Sequence, residues 1–318
     1  MNKIRFLFTV FLFTALTATA QRQNRYFLKN NGQYVKLRDS ADYLRIVQEP
    51  DPGSELYKVN EYYLDGSDKS AGLSGKIDPP LYEGKYISYH KNGKKKMEAS
   101  YKKGKLIDTA YHYYPNGNLY TVAIYRPAPD GKTSRYIETV KDSIGKELVV
   151  KGNGACVFYD SNFQEISESG VIRNGFYDGI WIGGTSRSAL KYKETYLNGN
   201  MVSGESTDKE GVAYQYTKAE IQPQFKGGMK NFYSYLSKTI KYPEACLRSR
   251  IQGKVLLKFL VMKDGTVKDI KVLNNPHLLL AAEAVRVVSA SPLWEPGVQR
   301  GKPANVFYNV PVSFTLRP

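Results

Sequence analysis

The stretch VLLKFLVMKDGTVKDIKV, residues 255–272, predicts a β-hairpin. Apolar residues alternate along its first half, which is typical of a strand buried on one face. Asp264-Gly265 supplies the residue types that favour positive φ angles in a tight turn. The side chains expected on the buried face are those of Val255, Leu257, Phe259, Val261, Ile270 and Val272.

A helix is predicted after this hairpin, because apolar residues recur there at spacings of three and four. Glu283 and Arg286 are expected to point away from its apolar stripe. The stripe is predicted to consist of Leu278, Ala281, Ala282, Val285 and Val288.

The end of the chain has the clearest alternation of apolar and polar residues, which predicts a strand buried on one face. Its apolar positions are Tyr308, Val310, Val312, Phe314 and Leu316. Pro311 lies within this strand and has no N–H to donate, so the strand is expected at the edge of a sheet. An exposed edge can pair with a strand of another chain, which is a common mode of peptide recognition.

A series of short motifs resembles the C-terminal domain of the TonB energy-transducer family. In order, they are PQFKGG (223–228), YP (242–243), IQGKV (251–255), DG (264–265), WEPG (294–297), GKP (301–303) and PVSF (311–314). The resemblance covers residues 222–318. It implies an α+β domain with a three-stranded antiparallel sheet and two helices. It also implies docking in the periplasm to an outer-membrane receptor, whose extended segment pairs with the last strand.

The resemblance and the edge-strand argument together predict a set of partner-binding residues. The set consists of Thr239, Lys241, Tyr242, Tyr308, Val310, Val312, Ser313, Phe314, Thr315, Leu316 and Arg317. Since Pro311 interrupts the edge, pairing is expected mainly over residues 313–317. Thr239 and Lys241 stand where the family has a receptor-contacting stretch that contains glutamines, so the partner's identity stays open.

The middle of the chain contains a degenerate repeat of turns and aromatic residues. Asn92-Gly93 and Asn116-Gly117 lie 24 residues apart, and each has a tyrosine four positions before its glycine. A second class of turn recurs at Lys103-Gly104, Asn174-Gly175 and Asn198-Gly199. Short hairpins of this kind must stack edge to edge to be stable, which predicts a β-meander over residues 62–216. The pattern resembles MORN-type repeats in the form found in YwqK-like antitoxins.

Two segments depart from this repeat. Residues 126–150 contain Pro127 and Pro129 and are expected to form an inserted or lengthened loop. Residues 21–61 fit either a degenerate repeat or an N-terminal cap.

The first twenty residues have the pattern of a signal peptide. Lys3 and Arg5 precede an apolar run, and Ala18-Thr19-Ala20 forms a small-residue cleavage site. The run is shorter than the ~20 residues that span a bilayer. We therefore expect export to the periplasm after cleavage, and retention as an inner-membrane anchor is the alternative. Export also argues against nucleic acid as the partner of a chain with a net charge of +16.

No set of residues predicts catalysis, a cofactor or a metal site. His90, His112 and His277 occupy unrelated contexts and are expected to be surface or strand residues. Cys156 and Cys246 lie in different predicted domains and are expected to be separate buried thiols.

The sequence therefore predicts a β-rich, two-domain, non-catalytic protein, in which a MORN-like meander precedes a TonB-type domain that binds an envelope protein by strand addition. One alternative is a membrane-anchored energy transducer with an uncleaved N-terminal segment. Another is a structural protein whose lysine-rich repeats bind an anionic membrane surface. The family resemblance also makes a strand-swapped homodimer an alternative assembly.

Overall fold

The computed structural model describes residues 22–128 and 133–316. The predicted signal peptide, Pro129 and Arg317 lie outside the described residues. The chain forms two compact units, which divide between Glu147 and Leu148.

The first unit is an antiparallel β-meander. Its strands are β1 (Gln23–Leu28), β2 (Tyr34–Val35), β3 (Tyr43–Gln48), β4 (Tyr57–Tyr63), β5 (Asp68–Ser74), β6 (Tyr82–Tyr89), β7 (Lys95–Lys102), β8 (Lys105–Tyr113), β9 (Leu119–Pro127) and β10 (Thr133–Lys141). The 3-10 turn Arg38–Ser40 precedes β3. Strand β1 pairs with both β2 and β3, and each strand from β3 onward pairs with the next. Residues 22–61 therefore belong to the meander and contain three of its strands and most of β4.

The segment 126–150 contains more strand than the sequence predicts. Strand β9 runs to Pro127, and β10 pairs with it from Thr133, where Thr133 lies opposite Pro127. The expectation of a long loop is therefore wrong for most of this segment. The two prolines favoured a loop in the prediction. Pro127 is instead the last residue of β9, where a missing N–H removes little of the strand's hydrogen bonding.

Seven further meander strands follow, and all of their residues except Glu147 belong to the second unit. They are β11 (Glu147–Val150), β12 (Asn153–Tyr159), β13 (Ile166–Arg173), β14 (Phe176–Gly183), β15 (Leu190–Leu197), β16 (Asn200–Asp208) and β17 (Ala213–Tyr216). Each pairs with the next in antiparallel fashion.

In one class of hairpin turn in the first unit, the side chain of the first turn residue forms a hydrogen bond to a backbone carbonyl of the next hairpin. The Tyr63 hydroxyl donates to the Tyr89 carbonyl at 3.0 Å, and the Tyr114 hydroxyl donates to the Lys141 carbonyl at 2.9 Å. His90 occupies the equivalent position, and its Nε2 lies 2.8 Å from the Tyr113 carbonyl. His90 is buried, so the expectation of an ordinary surface or strand histidine is wrong. It has the same structural role as the two tyrosines.

The second class of turn has two central residues with positive φ, as a type I′ hairpin requires. At Asn198-Gly199 the two φ angles are 50° and 79°, and Lys103-Gly104 and Asn174-Gly175 are alike. Arg300-Gly301, with φ angles of 47° and 82°, repeats this turn near the end of the chain.

The last hundred residues form a small α+β region within the second unit. Its strands are β18 (Glu220–Ile221), β19 (Gln224–Phe225), β20 (Gly253–Val261), β21 (Val267–Asn274), β22 (Trp294–Glu295), β23 (Gly297–Gln299), β24 (Lys302–Ala304) and β25 (Val306–Phe314). Its helices are α1 (Gly228–Thr239), α2 (Glu244–Arg248) and α3 (Leu278–Ser289). The main sheet has three antiparallel strands in the order β21-β20-β25, and the family resemblance implied a three-stranded sheet. The short helix α2 raises the number of helices to three among the described residues, where two were expected.

The core of this region lies between the main sheet and helices α1 and α3. Its largest fully buried side chains include Phe232, Phe259 and Phe314, and Trp294 fills the space beside Phe259 with ring centroids 5.2 Å apart. Cys246 is also buried there, and both it and Cys156 are unbridged.

Helix α3 is rotated relative to the prediction. Leu278 is 79% exposed, whereas Glu283 is only 8% exposed. The buried apolar stripe consists of Leu280, Ala281, Ala284, Val287 and Val288. The physical reason is that Glu283 has partners inside the region, which the apolar spacing alone does not indicate.

Strand β21 also departs from strict alternation. Asp269 has a φ of 52°, and the register with β20 shifts between Lys258 and Leu260. After this bulge Val272 is 38% exposed, so its expected place on the buried face is wrong. Across residues 22–128 and 133–316, no helix is both long and apolar enough to cross a membrane.

Candidate functional site: the free edge of strand β25

Strand β25 is an edge strand. It pairs with β20 over nine residue pairs, from Val306 opposite Val261 to Phe314 opposite Gly253. On its other side, β20 pairs with β21, so β20 is the central strand. Within the described part of the chain, no strand pairs with the second side of β25.

The side chains of β25 alternate between core and solvent. Val310, Val312 and Phe314 are at most 1% exposed. The intervening residues Phe307, Asn309, Pro311 and Ser313 are exposed. The solvent-facing surface of β25 is therefore an apolar ring, an amide, a proline and a hydroxyl in sequence.

Two observations indicate which backbone groups face the free side. Leu316 continues the even-numbered series, and its N–H donates to Gln252 Oε1 at 2.8 Å, next to the start of β20. Pro311 has no N–H and is tolerated where a strand needs no donor toward its neighbour. Because backbone groups alternate along a strand, the N–H and C=O groups of Asn309 and Ser313 are directed to the free side.

This geometry divides the predicted partner-binding residues into two groups. Ser313 and Thr315 are exposed, and both belong to the odd-numbered series that faces outward. The other group is turned toward β20 or the core and comprises Tyr308, Val310, Val312, Phe314 and Leu316. The strand ends at Phe314, two residues before its predicted end. Partner contact by any of these residues remains a prediction.

Phe307 and Asn309 are candidate site residues that the sequence reasoning missed. The signal was available, because any residue an even number of positions from Pro311 shares its outward orientation. The prediction instead followed the alternation of apolar residues, which identifies the residues that face the core.

The predicted residues at the end of α1 are held by helix α3. Glu283 Oε1 accepts from the Lys241 N–H at 2.6 Å, and Arg286 donates to the Thr239 carbonyl at 2.9 Å. Arg286 and Glu283 also pair directly at 2.7 Å, and this hydrogen bond holds the pKa of Glu283 below its usual range. The Lys241 side chain is exposed. Its backbone is thus fixed while its ammonium group stays in solvent.

Tyr242 brings this segment next to the end of β25. Its ring meets the Phe314 ring edge-on with centroids 5.7 Å apart, and its hydroxyl donates to the Ile251 carbonyl at 2.6 Å. Burial raises the pKa of Tyr242, so the phenol stays protonated and can donate. Tyr242 therefore lies beside the end of β25.

A shallow groove of about 260 Å³ lies at the other end of the strand, beside Phe307. It combines apolar side chains with amides and one carboxylate, that of Glu220. Its remaining lining includes Ile221, Gln222, Val298, Gln299 and Asn305. A segment that extends along β25 would meet this groove after Phe307.

A hairpin directly before β25 ties the strand to the meander of the same unit. The turn Arg300-Gly301 joins β23 to β24, and the Ser206 hydroxyl donates to the Arg300 carbonyl at 2.6 Å. Arg300 Nε donates to Glu194 Oε1 at 2.9 Å, and the Glu194 side chain is 1% exposed. The guanidinium also lies over the Tyr192 ring, 3.6 Å from its centroid.

Glu194 is satisfied on both oxygens. The Tyr196 and Tyr216 hydroxyls donate to it at 2.9 and 3.0 Å. Burial, with the nearby carboxylate, raises the pKa of both phenols and keeps them as donors. A buried carboxylate with three donors, one of them cationic, is a strong anchor.

A second ion pair reinforces this anchor. Lys302 Nζ lies 2.6 Å from Asp208 Oδ2, and the Asp208 side chain is 3% exposed. The hydrogen bond from Lys302, followed by those from the Val212 N–H and the Tyr214 hydroxyl, holds the pKa of Asp208 well below its usual range. We call the contacts of Arg300 and Lys302 with Glu194 and Asp208 the hairpin anchor. It fixes β24, and β25 begins two residues after β24 ends.

The described residues contain no group of three or more metal-ligating side chains. Along its free side, β25 presents the outward backbone groups of Asn309 and Ser313 next to an amide and a hydroxyl side chain.

Comparison with known families gives one match. Residues 238–316 match the model of the Gram-negative bacterial TonB protein C-terminal family. The match spans about a quarter of the chain and contains α3, the main sheet and the whole of β25. Domains of this family are non-enzymatic and interact with envelope proteins such as outer-membrane receptors. The match indicates involvement in TonB-type energy transduction or transport at the envelope. None of the curated proteins compared with this chain matches it.

Proposed function

We propose that this protein is a periplasmic docking module, which binds an extended segment of an outer-membrane receptor by strand addition to β25. The observation that carries the proposal is the free side of β25, to which Asn309 and Ser313 direct their backbone groups. The family match supports it, because the matched segment contains the whole strand.

The meander is proposed to act as a MORN-like platform for this docking strand. The hairpin anchor supports this role, since Glu194 and Asp208 lie on β15 and β16 of the meander. A pulling force on β25 would be transmitted to these two strands through the ion pairs of Arg300 and Lys302. The platform and the docking strand would then respond as one body within the second unit.

Pro311 divides the proposed pairing into two short segments. On one side Phe307 and Asn309 can pair, and on the other side Ser313 and Thr315. A bound segment is therefore expected to make its most regular hydrogen bonds at Ser313 and Thr315, next to Tyr242 and Lys241.

The proposal is tested by photocrosslinking in the cells that make the protein. A photoreactive residue at position 315 should crosslink to an outer-membrane receptor, and one at position 268, on the opposite edge strand β21, should not. Ser313→Pro removes one outward N–H and should abolish the crosslink from position 315. Ser313→Ala keeps this N–H and should preserve it. An unchanged crosslink in folded Ser313→Pro would overturn the proposal.

A further inference from the structure

A cluster of exposed leucines lies at one end of the main sheet. Leu278 is 79% exposed, Leu273 50%, Leu247 44% and Leu279 43%. Single exposed apolar residues are normal on protein surfaces, but a contiguous group marks an interaction site. We call these four residues the leucine tip.

Two contacts bring together the three elements that carry these leucines. Cys246, the neighbour of Leu247, has its Sγ 3.4 Å from Nδ1 of His277, which caps α3 directly before Leu278. Leu273 lies on β21, whose next residue, Asn274, pairs with Leu256 of β20. The end of α2, the end of β21 and the start of α3 therefore meet at one place.

Basic residues follow Leu247 of the leucine tip along the chain. Arg248 follows Leu247 in α2, Arg250 lies between α2 and β20, and Lys254 is the second residue of β20. All three are exposed. Glu244, which pairs with Arg248 at 2.8 Å, is the acidic residue in this stretch. The rim is therefore cationic, in keeping with the net charge of +16.

We infer that the leucine tip inserts into the surface of an anionic phospholipid bilayer. Exposed leucines can enter the boundary between headgroups and acyl chains, while arginine and lysine at the rim contact anionic headgroups. The Leu278 side chain is suited to insertion, because it projects from the first turn of α3 and takes no part in the core.

The inference gives the docking strand a position relative to a membrane. Gly253 pairs with Phe314, so the start of β20 and the end of β25 lie at the same end of the sheet. Lys254 also pairs with Ser313. A protein held on a bilayer by its leucine tip would present Ser313 close to the headgroups. The lipid contact itself stands independently of strand addition.

Flotation of the full chain with vesicles tests the inference. Vesicles that contain phosphatidylglycerol should bind the protein, vesicles of phosphatidylcholine alone should bind it much less, and high salt should weaken the binding. Leu273→Ser/Leu278→Ser should lower the partition coefficient on phosphatidylglycerol vesicles by about tenfold or more, since two partly exposed leucines no longer insert. Arg250→Gln/Lys254→Gln should lower it on the same vesicles and leave binding to phosphatidylcholine unchanged.

The matched control is Ile182→Ser/Leu197→Ser, on strands of the meander. Ile182 is 58% exposed and Leu197 62%, so this variant removes comparable apolar surface elsewhere. Equal loss of binding in both double variants would overturn the inference, as would equal binding to neutral and anionic vesicles. The inference also fails if Leu273→Ser/Leu278→Ser disrupts a dimer in sedimentation and leaves vesicle binding unchanged, because a second copy would then cover the tip. Thermal melts should show that each variant is folded, as expected for exposed positions.

Discussion

Arg300→Met is predicted to destabilise the second unit by breaking the hairpin anchor. Methionine keeps most of the aliphatic contact of the arginine and removes its charge and donors. Glu194, which is 1% exposed, would lose its cationic partner and keep the two phenol donors Tyr196 and Tyr216.

The expected cost is about 3 kcal/mol. Breaking a buried ion pair by removing one partner costs about 3–5 kcal/mol, because the other charge stays buried and uncompensated. The lower end applies since two hydrogen bonds still satisfy Glu194. For a unit of this size, a loss of about 3 kcal/mol corresponds to a fall in Tm of about 6–12 °C.

Tryptophan fluorescence during urea unfolding measures this effect in the second unit alone. The chain has two tryptophans, and both Trp181 and Trp294 lie in that unit and are buried. Glu194→Gln completes a double-mutant cycle, in which the double variant should lose less stability than the sum of the two single variants by more than about 1 kcal/mol. A loss below about 0.5 kcal/mol for Arg300→Met, or strict additivity, would refute the assigned role of the anchor.

Three further predictions concern the anchor and the meander. Gly301→Ala should destabilise the second unit in the same fluorescence assay, because Gly301 has a φ of 82° and an added Cβ would lie 2.6 Å from the Tyr214 Cβ; an unchanged midpoint would contradict this close approach. Asp208→Asn should lower the stability of the second unit at neutral pH and should make its stability depend less on pH in acid. The pKa of Asp208 is depressed in the folded state, so its carboxylate contributes stability at pH values above its unfolded-state pKa of about 4. This contribution is lost as the pH falls through the folded-state pKa. Burial, with Arg135 and Lys96, lowers the pKa of His112 to about 4. The first unit should therefore lose up to about 3 kcal/mol as pH falls from 6.5 to 4, which amide exchange of β8 and β9 would detect. His112→Gln should remove this pH dependence, and an unchanged slope would rule out His112 as its source.

Local patterns predicted the parts of the fold that depend on neighbouring residues. The hairpin of β20 and β21, the alternation along β25 and the recurring turns follow from residue spacing and from turn chemistry. Pro311 predicted the edge position of β25, because a residue without an N–H cannot donate a hydrogen bond to a neighbouring strand in any sheet.

Contacts between distant residues explain what the sequence did not reveal. Glu283 is buried because it accepts from the Lys241 N–H, 42 residues earlier, and helical spacing contains no sign of this partner. The pair of Arg300 and Glu194 is separated by 106 residues and depends on how a turn of the last region meets the meander. At the candidate site the difficulty was of another kind. The sequence contained the alternation, but the predicted contact residues include buried ones such as Val312, whose contact with a partner stays a prediction.

Substitutions on β25 must respect this alternation. Phe314 is in the core and lies opposite Gly253, so a proline there would damage the fold and the site together. Ser313 is exposed and directs its backbone outward, so a proline there changes the free edge alone.

Residue-resolved amide hydrogen exchange of β25 in the free protein tests the central claim most directly. The account predicts alternating protection, with slow exchange at Val310, Val312 and Phe314, whose N–H groups face β20, and fast exchange at Asn309 and Ser313. Uniformly slow exchange along the strand would show that both sides of β25 are already hydrogen-bonded, and it would contradict docking by strand addition at this edge.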